Sequence, residues 1–181
     1  MCFFSVMKEI LVLGAEGSGK SLLIRRVKEH TEGKFSVDTT SESTIPTTGV
    51  EIVHVELSSD VSCNVREIGS AISSRWDSYL SESCGLIFAV DVSDLGSLSS
   101  ALVLLHEILS NTPLMVNKRL LLVLNKTDCV ERSSVVLAKN ILRLNELQRL
   151  WPLMSVRCGS CVSGDICESV IDWMKGCLTL D

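Results

Sequence analysis

The sequence is poor in aromatic residues and has no excess of positive charge. Phenylalanine, tryptophan and tyrosine make up 4% of the 181 residues, whereas hydrophobic residues together reach 46%. A core built from this chain must therefore be mostly aliphatic. The net charge of -5 argues against a general nucleic-acid binder, because such proteins need a basic surface.

Signals for membrane attachment are also missing. No apolar run approaches the roughly 20 residues of a membrane-spanning helix. Residue 2 is Cys2 rather than glycine, so the N-myristoylation signal is absent, and Cys177 lies one place too early for prenylation. The lead-in to the first strand is too short for a signal peptide. We therefore expect a monomeric, cytoplasmic protein that reaches membranes only through protein partners.

The 8 cysteines need separate consideration. Most stand beside apolar residues, which is typical of buried, reduced thiols. Cys158 and Cys161 form a CxxC pair, but a second pair with zinc-ligand spacing is missing. The sequence Cys-Gly-Ser-Cys also occurs in papain-like proteases, which need a downstream histidine, whereas all 3 histidines lie upstream. We interpret this segment as a loop with incidental thiols.

Residues 14–21 read Gly-Ala-Glu-Gly-Ser-Gly-Lys-Ser and match the phosphate-loop pattern GxxxxGK[ST] at every fixed position. An apolar run precedes them and a helical pattern follows, which is the strand–loop–helix context of this motif. Backbone N–H groups of such a loop face the phosphates, and the helix N-terminus adds partial positive charge. Lys20 would neutralise the β- and γ-phosphates, and Ser21 would bind Mg²⁺. The predicted phosphate-binding residues here are Gly14, Glu16, Gly17, Ser18, Gly19, Lys20 and Ser21.

Hydrophobic patterning predicts alternating strands and helices. The predicted strands are residues 8–13, 50–57, 61–67, 85–90, 120–124 and 151–156, and the predicted helices are residues 20–30, 95–109, 135–150 and 165–177. Residues 31–48 are polar and aperiodic and predict a long, functional loop. The pattern predicts one α/β domain over residues 1–181, with a mostly parallel six-stranded sheet, one antiparallel strand and helices on both faces. Ligands then bind at the carboxyl ends of the strands.

The run Asn125-Lys126-Thr127-Asp128 follows a predicted strand and resembles the NKxD guanine-specificity motif of small GTPases. A carboxylate at Asp128 can accept hydrogen bonds from guanine N1–H and the 2-amino group. Adenine has neither donor, so the carboxylate would be left unpaired and ATP would be rejected. The Lys126 stem can lie over the base, and Asn125 can join this loop to the phosphate loop. The predicted ligands are GTP and GDP with Mg²⁺, which disfavours an ATP-using kinase or ATPase.

Further motifs resemble those of ADP-ribosylation factors and related small GTPases. Residues 44–49, Thr-Ile-Pro-Thr-Thr-Gly, match the family's first switch segment, and residues 84–91, Cys-Gly-Leu-Ile-Phe-Ala-Val-Asp, match its GLIFxVDxxD strand. The resemblance implies a P-loop GTPase fold. It also implies that Thr47 binds Mg²⁺ and senses the γ-phosphate. A third base-binding element, usually Ser-Ala-x, is then assigned to Ser155, Val156 and Arg157.

The second switch departs from the family pattern, which reads Trp-Asp-x-Gly-Gly-Gln. This chain has Arg-Glu-Ile-Gly-Ser-Ala at residues 66–71. Glu67 replaces the aspartate that supports the Mg²⁺ shell through water, and Ser70 replaces a glycine whose N–H contacts the γ-phosphate. Ala71 replaces the glutamine that positions the attacking water, so no intact catalytic residue remains and intrinsic hydrolysis should be slow. This variant resembles one divergent branch of the ADP-ribosylation factor-like proteins.

Two functions remain open on these residues. The first is a GTP-dependent switch in which residues about 36–49 and 66–80 become ordered and are recognised by effector and regulatory proteins. The resemblance implies intracellular membrane or ciliary traffic. The second is a pseudo-GTPase scaffold without a hydrolysis cycle. Family members typically bind effectors through a surface with three aromatic residues. Here only Tyr79 remains, because Val50 and Arg66 occupy the other two positions, so we expect different partners.

Overall fold

A computed structural model of the protein describes residues 7–36, 47–110, 112–115 and 117–179. The strands are β1 (Glu9–Gly14), β2 (Val50–Ser58), β3 (Val61–Ile68), β4 (Gly85–Asp91), β5 (Arg119–Asn125) and β6 (Met154–Cys158). The helices are α1 (Lys20–Thr31), α2 (Trp76–Leu80), α3 (Leu95–Ser110), α4 (Thr112–Met115), α5 (Arg132–Ile141), α6 (Leu144–Leu150) and α7 (Cys167–Leu178). Short 3-10 helices cover Ser70–Arg75 and Thr127–Cys129.

The six strands form one sheet in the order β2-β3-β1-β4-β5-β6. Only the β2–β3 pair is antiparallel, and the other neighbours run parallel. This confirms the predicted fold class. The carboxyl ends of the parallel strands therefore meet at one edge, which collects the loops after β1, β4, β5 and β6.

Two aliphatic cores cover the two faces of the sheet, because successive strand side chains point to opposite faces. Leu11 and Leu13 of β1 face the core under α2, α3, α5 and α6. Ile10 and Val12 face the core under α1 and α7. Strands β4 and β5 are buried along almost their whole length on both faces, which explains their continuous apolar runs.

Two boundaries differ from the sequence prediction. The predicted helix 135–150 is two helices, because Arg143 adopts a left-handed backbone with φ 48° and separates α5 from α6. The predicted strand 151–156 begins later, at Met154. The Trp151 N–H still donates to the Leu147 carbonyl at 2.8 Å, so the chain is completing the end of α6 where apolar residues had indicated a strand.

Strand β2 forms an edge of the sheet, with β3 as its only neighbour among the described residues. Val55 and Leu57 point into the core, whereas Val50 and Ile52 are exposed by 39% and 51%. Glu51, His54 and Glu56 are exposed as well. The pairing with β3 shifts register between Glu56 and Ser58.

None of the helices within the described ranges combines the length and hydrophobicity that a bilayer crossing requires.

Candidate nucleotide-binding site

The phosphate loop connects β1 to α1 in the predicted strand–loop–helix order. Lys20 is the first residue of α1 and is only 6% exposed. Its ammonium group folds back over the loop and donates to the carbonyl oxygens of Gly14, at 3.1 Å, and Ala15, at 2.8 Å. The fold thus places a buried cation where the motif predicts phosphate.

Burial makes the Lys20 charge costly. It lowers the pKa of Lys20 below its ordinary value, although the carboxylates of Glu67 and Glu16 oppose this effect. Phosphate groups beside the ammonium would stabilise its charged form. The cation is therefore electrostatically matched to an anionic ligand.

Gly19 packs against the base loop. Its φ is +88°, and a Cβ atom there would collide with the side-chain nitrogen of Asn125. The glycine required by the motif thus lets the phosphate loop approach the loop after β5 closely. Ser18 is fully buried at the same contact, and Glu16 and Gly17 lie at the exposed tip.

Three oxygen-bearing side chains meet beside the start of α1. The Ser21 hydroxyl donates to the Glu67 carboxylate at 2.8 Å, and its oxygen lies 3.3 Å from the Thr47 hydroxyl oxygen. Glu67 is 2% exposed. Hydroxyl and carboxylate oxygens are hard donors of the kind that Mg²⁺ prefers, so this donor set fits the predicted metal.

The second switch approaches the same point. The Gly69 N–H donates to the Gly49 carbonyl at 2.9 Å, and a Cβ atom at Gly69 would collide with the Thr47 carbonyl. The 3-10 helix beginning at Ser70 follows directly, and Ala71 is exposed on it. The methyl group of Ala71 can neither donate nor accept a hydrogen bond. Residues 44–46 of the predicted first switch lie outside the described residues.

Asn125 ends β5 and joins two loops. Its amide nitrogen donates to the Ser18 carbonyl at 2.9 Å, and its amide oxygen accepts from the Cys161 N–H at 3.0 Å. The side chain is 2% exposed. The structure therefore brings the Asn125 loop to the phosphate loop, in the arrangement that the sequence predicted.

Lys126 adopts a left-handed backbone with φ 63° and donates from its ammonium group to the Asp91 carboxylate. Asp91 ends β4, and it also accepts from the Ser93 N–H at 2.8 Å. Sequence analysis did not identify Asp91 as a partner of the base loop. Its position after a buried parallel strand was the available signal.

The Asp128 side chain is mainly exposed beside this loop. Partial burial raises the pKa of its carboxyl, but hydrogen bonds from Ser160, from its own backbone N–H and from Cys129, together with the Lys126 charge, outweigh this and hold the pKa below its usual value. Asp128 is thus favoured as an ionised acceptor.

The structure does not bring Ser155, Val156 and Arg157 to this loop. They lie within β6 and pair with Leu121, Leu122 and Val123 of the central sheet. The assignment failed because the strand was predicted to end at residue 156, whereas β6 continues to Cys158 beside Leu124. Because Leu124 pairs with Cys158, the residues that lie beside Asn125 at the carboxyl end of the sheet are those that follow Cys158.

Ser160 and Cys161 occupy the place that was assigned to the earlier triplet. Ser160 is 1% exposed, its hydroxyl accepts from the Val162 N–H at 3.0 Å and lowers the pKa of Asp128, and its N–H donates to Asp165 at 2.7 Å. A serine followed by a small residue directly after the strand was the signal that could have found them. The contact of Cys161 with Asn125 is made by its backbone N–H and not by its thiol, which is free.

A cluster beneath this loop is formed by Arg26, Phe35 and Gly164. The buried Arg26 guanidinium lies 5.3 Å from the Phe35 ring centre and donates to the Ser36 carbonyl at 3.1 Å. The Phe35 ring packs so closely on Gly164 that a Cβ atom there would overlap it. The loop after β6 is thereby attached to residues 35 and 36, just before the first switch.

No group of three or more histidine, cysteine or acidic side chains suited to a metal ion occurs among the described residues. Seven cysteines fall within those ranges and all carry free thiols.

Comparison with known proteins found similar sequences over most of the chain. A sequence model of the ADP-ribosylation factor family matches residues 3–178. Human ADP-ribosylation factor-like protein 16 is 31% identical over 139 residues, which cover 76% of this chain and 68% of that protein. ADP-ribosylation factor-like protein 1 of Saccharomyces cerevisiae is 28% identical over 170 residues, covering 91% of this chain and 84% of that protein.

A solved structure shares the fold. The Arl6 small GTPase of Trypanosoma brucei, with a bound nucleotide analogue GppNp, superposes with a TM-score of 0.76 over 93% of this chain and 95% of that chain, at 19% identity.

Proposed function

The chain belongs to the ADP-ribosylation factor family, and we propose that it is a GTP/GDP switch that recruits effector proteins in intracellular membrane or ciliary traffic, with slow intrinsic hydrolysis. Guanine-nucleotide binding and a dependence on effectors and regulators follow from the family. The pathway and the slow hydrolysis are proposals. We take residues 1–181 as one G domain and the protein as a cytoplasmic monomer.

The Asn125 bridge is the observation that carries this proposal. One buried amide holds the phosphate loop at Ser18 and the loop at Cys161, so phosphate and base elements face one ligand. Lys20 would bind the phosphates, and Asp128 would accept from guanine. Ser160 and Cys161 lie in the loop that Asn125 contacts, and Ser160 influences Asp128, so we propose them as the third base-binding element in place of Ser155, Val156 and Arg157.

Mg²⁺, when bound, would neutralise phosphate charge in this site. Ser21 and Thr47 would hold the ion, and Glu67 would support it. The Thr47 hydroxyl oxygen lies 3.3 Å from that of Ser21, and the Thr47 carbonyl lies against Gly69, which supports a role for both switch segments beside the nucleotide. Ordering of the switches on GTP binding is the expected consequence.

Slow hydrolysis is supported by Ala71. Attack on the γ-phosphate requires an oriented water, and an alanine methyl group cannot orient one. An activating protein would have to supply the missing group. The same residue supports the second candidate, a pseudo-GTPase scaffold that binds nucleotide without a hydrolysis cycle.

Partners should differ from those of typical ADP-ribosylation factors. The surface of β2 and β3 carries Val50 and Arg66 where the family uses aromatic residues. The Arg66 guanidinium lies 5.1 Å from the Tyr79 ring centre and pairs with Glu9 at 2.7 Å. This surface therefore presents Val50 and the Arg66–Glu9 ion pair in place of two of the family's three rings.

Equilibrium binding of fluorescent GTP and GDP, with and without Mg²⁺ and with ATP as competitor, tests the switch. We expect selective guanine-nucleotide binding that is lost in Lys20→Ala and Asp128→Ala. Lys28→Ala and Asp172→Ala change exposed residues of the same types on α1 and α7 and serve as controls. Equal competition by ATP, or binding indifferent to the first two variants, would overturn the guanine site.

Single-turnover hydrolysis separates the two candidates. The switch proposal expects bound GTP to persist in the purified protein and to be converted when the activating protein is added. Persistence of GTP together with identical effector binding by the GTP and GDP forms would instead support the scaffold.

A further inference from the structure

We propose that Glu67 binds the Mg²⁺ of the GDP complex directly through its carboxylate, rather than through a water molecule. This inference rests on the proposed function, because the ion binds together with a nucleotide. It differs from the family pattern, in which a shorter aspartate supports the shell from outside.

The main chain of Glu67 cannot retreat to accommodate the longer side chain. Glu67 pairs with Val12 of β1 on one side and with Glu51 of β2 on the other. Its side chain is 2% exposed, so it cannot turn out to solvent. The additional carbon–carbon bond, about 1.5 Å long, therefore moves the carboxylate toward Ser21.

The extra length of the glutamate side chain is close to the extra reach that direct binding of Mg²⁺ requires. A carboxylate that reaches Mg²⁺ through a water lies roughly 4 Å from the ion, whereas a direct oxygen ligand lies about 2.1 Å away. The extra bond supplies most of the difference of roughly 2 Å.

Oxygen spacing supports the same arrangement. Octahedral ligands at about 2.1 Å from Mg²⁺ stand about 2.9 Å from their neighbours. The Ser21 hydroxyl oxygen lies 2.8 Å from the Glu67 carboxylate oxygen and 3.3 Å from the Thr47 hydroxyl oxygen. The Ser21 and Glu67 oxygens are therefore spaced as neighbouring ligands of one small ion, whereas the Thr47 oxygen lies further out.

Charge favours the direct position as well. Glu67 is an acidic side chain in a buried site, and a directly bound divalent cation compensates such a charge better than one behind a water. Lys20 interacts with Glu67 electrostatically, but its ammonium hydrogen bonds go to Gly14 and Ala15. The carboxylate thus remains available to a metal ion.

Counting water ligands tests the proposal. Mn²⁺ replaces Mg²⁺ in the GDP complex, and broadening of its electron paramagnetic resonance lines in H₂¹⁷O gives the number of bound waters. We expect Glu67→Asp to bind one water more than the wild type. Glu56→Asp makes the same change on the exposed face of β2 and should leave the count unchanged.

An equal water count in the wild type and Glu67→Asp overturns direct binding while leaving the nucleotide site intact. If Glu67→Asp does not fold, the wild type labelled with ¹³C-carboxyl glutamate is measured by electron-nuclear double resonance. A strong ¹³C coupling to Mn²⁺ supports direct binding, and its absence overturns it. Failure of the wild type to bind GDP at all would instead refute the proposed function.

Discussion

Asn125 and Ser18 are joined by a hydrogen bond of 2.9 Å from the side-chain amide to the main-chain carbonyl, although 107 residues separate them. The other end of the same amide accepts from Cys161. Both bonds are buried, so each group would remain unsatisfied if the amide were lost. One side chain thus fixes the distance between the phosphate loop and the loop after β6.

Asn125→Asp should destabilise the protein and weaken nucleotide binding. The new carboxylate can still accept from the Cys161 N–H, but it cannot donate to Ser18 and places an anion beside a carbonyl. A buried unsatisfied group costs about 1–3 kcal/mol, which chemical denaturation would detect. Asn140→Asp on the exposed surface of α5 is the control. Unchanged stability would contradict a structural role for the bridge.

Ser160→Ala should lower guanine-nucleotide affinity, because it removes the hydroxyl that accepts from the Val162 N–H at 3.0 Å and that favours the ionised form of Asp128. A neutral hydrogen bond of this kind contributes about 0.5–1.5 kcal/mol, or roughly two- to tenfold in affinity. Titration calorimetry with GDP measures the change. Ser155→Ala tests the discarded assignment and should leave affinity unaltered. Reduced affinity in Ser155→Ala together with unchanged affinity in Ser160→Ala would instead support the original assignment of Ser155 as a base-binding residue.

Affinity for GDP should fall as the pH rises through the alkaline range. Burial lowers the pKa of Lys20 in the nucleotide-free site, and the phosphate charges raise it on binding, so binding takes up a proton between these two values. Calorimetry in two buffers of different ionisation enthalpy measures the uptake. Arginine stays charged over the whole pH range, so Lys20→Arg should abolish the proton uptake that is due to Lys20. Any proton uptake by guanine itself should remain. Equal uptake by both proteins would exclude Lys20 as the source.

Gly164→Ala should destabilise the protein more than Gly33→Ala. Both glycines have a left-handed backbone, with φ +74° and +65°, so both substitutions cost about 1–2 kcal/mol in strain. Only Gly164 lies against the Phe35 ring, whereas nothing lies within 4 Å of a Cβ atom at Gly33 among the described residues. Thermal unfolding compares the two variants. Equal losses of thermal stability in the two variants would show that the Phe35 ring moves aside without an energetic cost.

Ala71→Gln should accelerate single-turnover GTP hydrolysis, because glutamine can orient the attacking water. An increase of about tenfold or more corresponds to a barrier lowered by about 1.4 kcal/mol. Ala71→Met has a similar length without the amide and should remain slow. A rate unchanged by glutamine would indicate that the backbone at Ser70 and Ala71 holds the second switch away from the γ-phosphate.

The sequence predicted the fold and the phosphate site well, because these depend on local patterns. Continuous apolar runs marked β4 and β5, and the glycine spacing marked the loop before Lys20. The base loop after β6 was predicted less well. Its position depends on the register of β6 against β5. That register was misjudged because the alternating apolar residues Trp151 and Leu153 predicted a strand where the chain is still at the end of α6. The contacts of Lys126 with Asp91, and of Phe35 with Gly164, join distant segments and have no local signature.

The outer edge of β2 bears on how the protein behaves at high concentration. An edge strand offers free backbone groups to a second sheet, and Val50 and Ile52 would favour such pairing. Glu51, Glu56 and the register shift near Ser58 oppose it at neutral pH, because a partner strand would meet carboxylates and an irregular ladder. Acidification toward the isoelectric point near 5.2 removes net repulsion between molecules. Association through the edge of β2 is therefore expected to be stronger near that pH than above neutral pH.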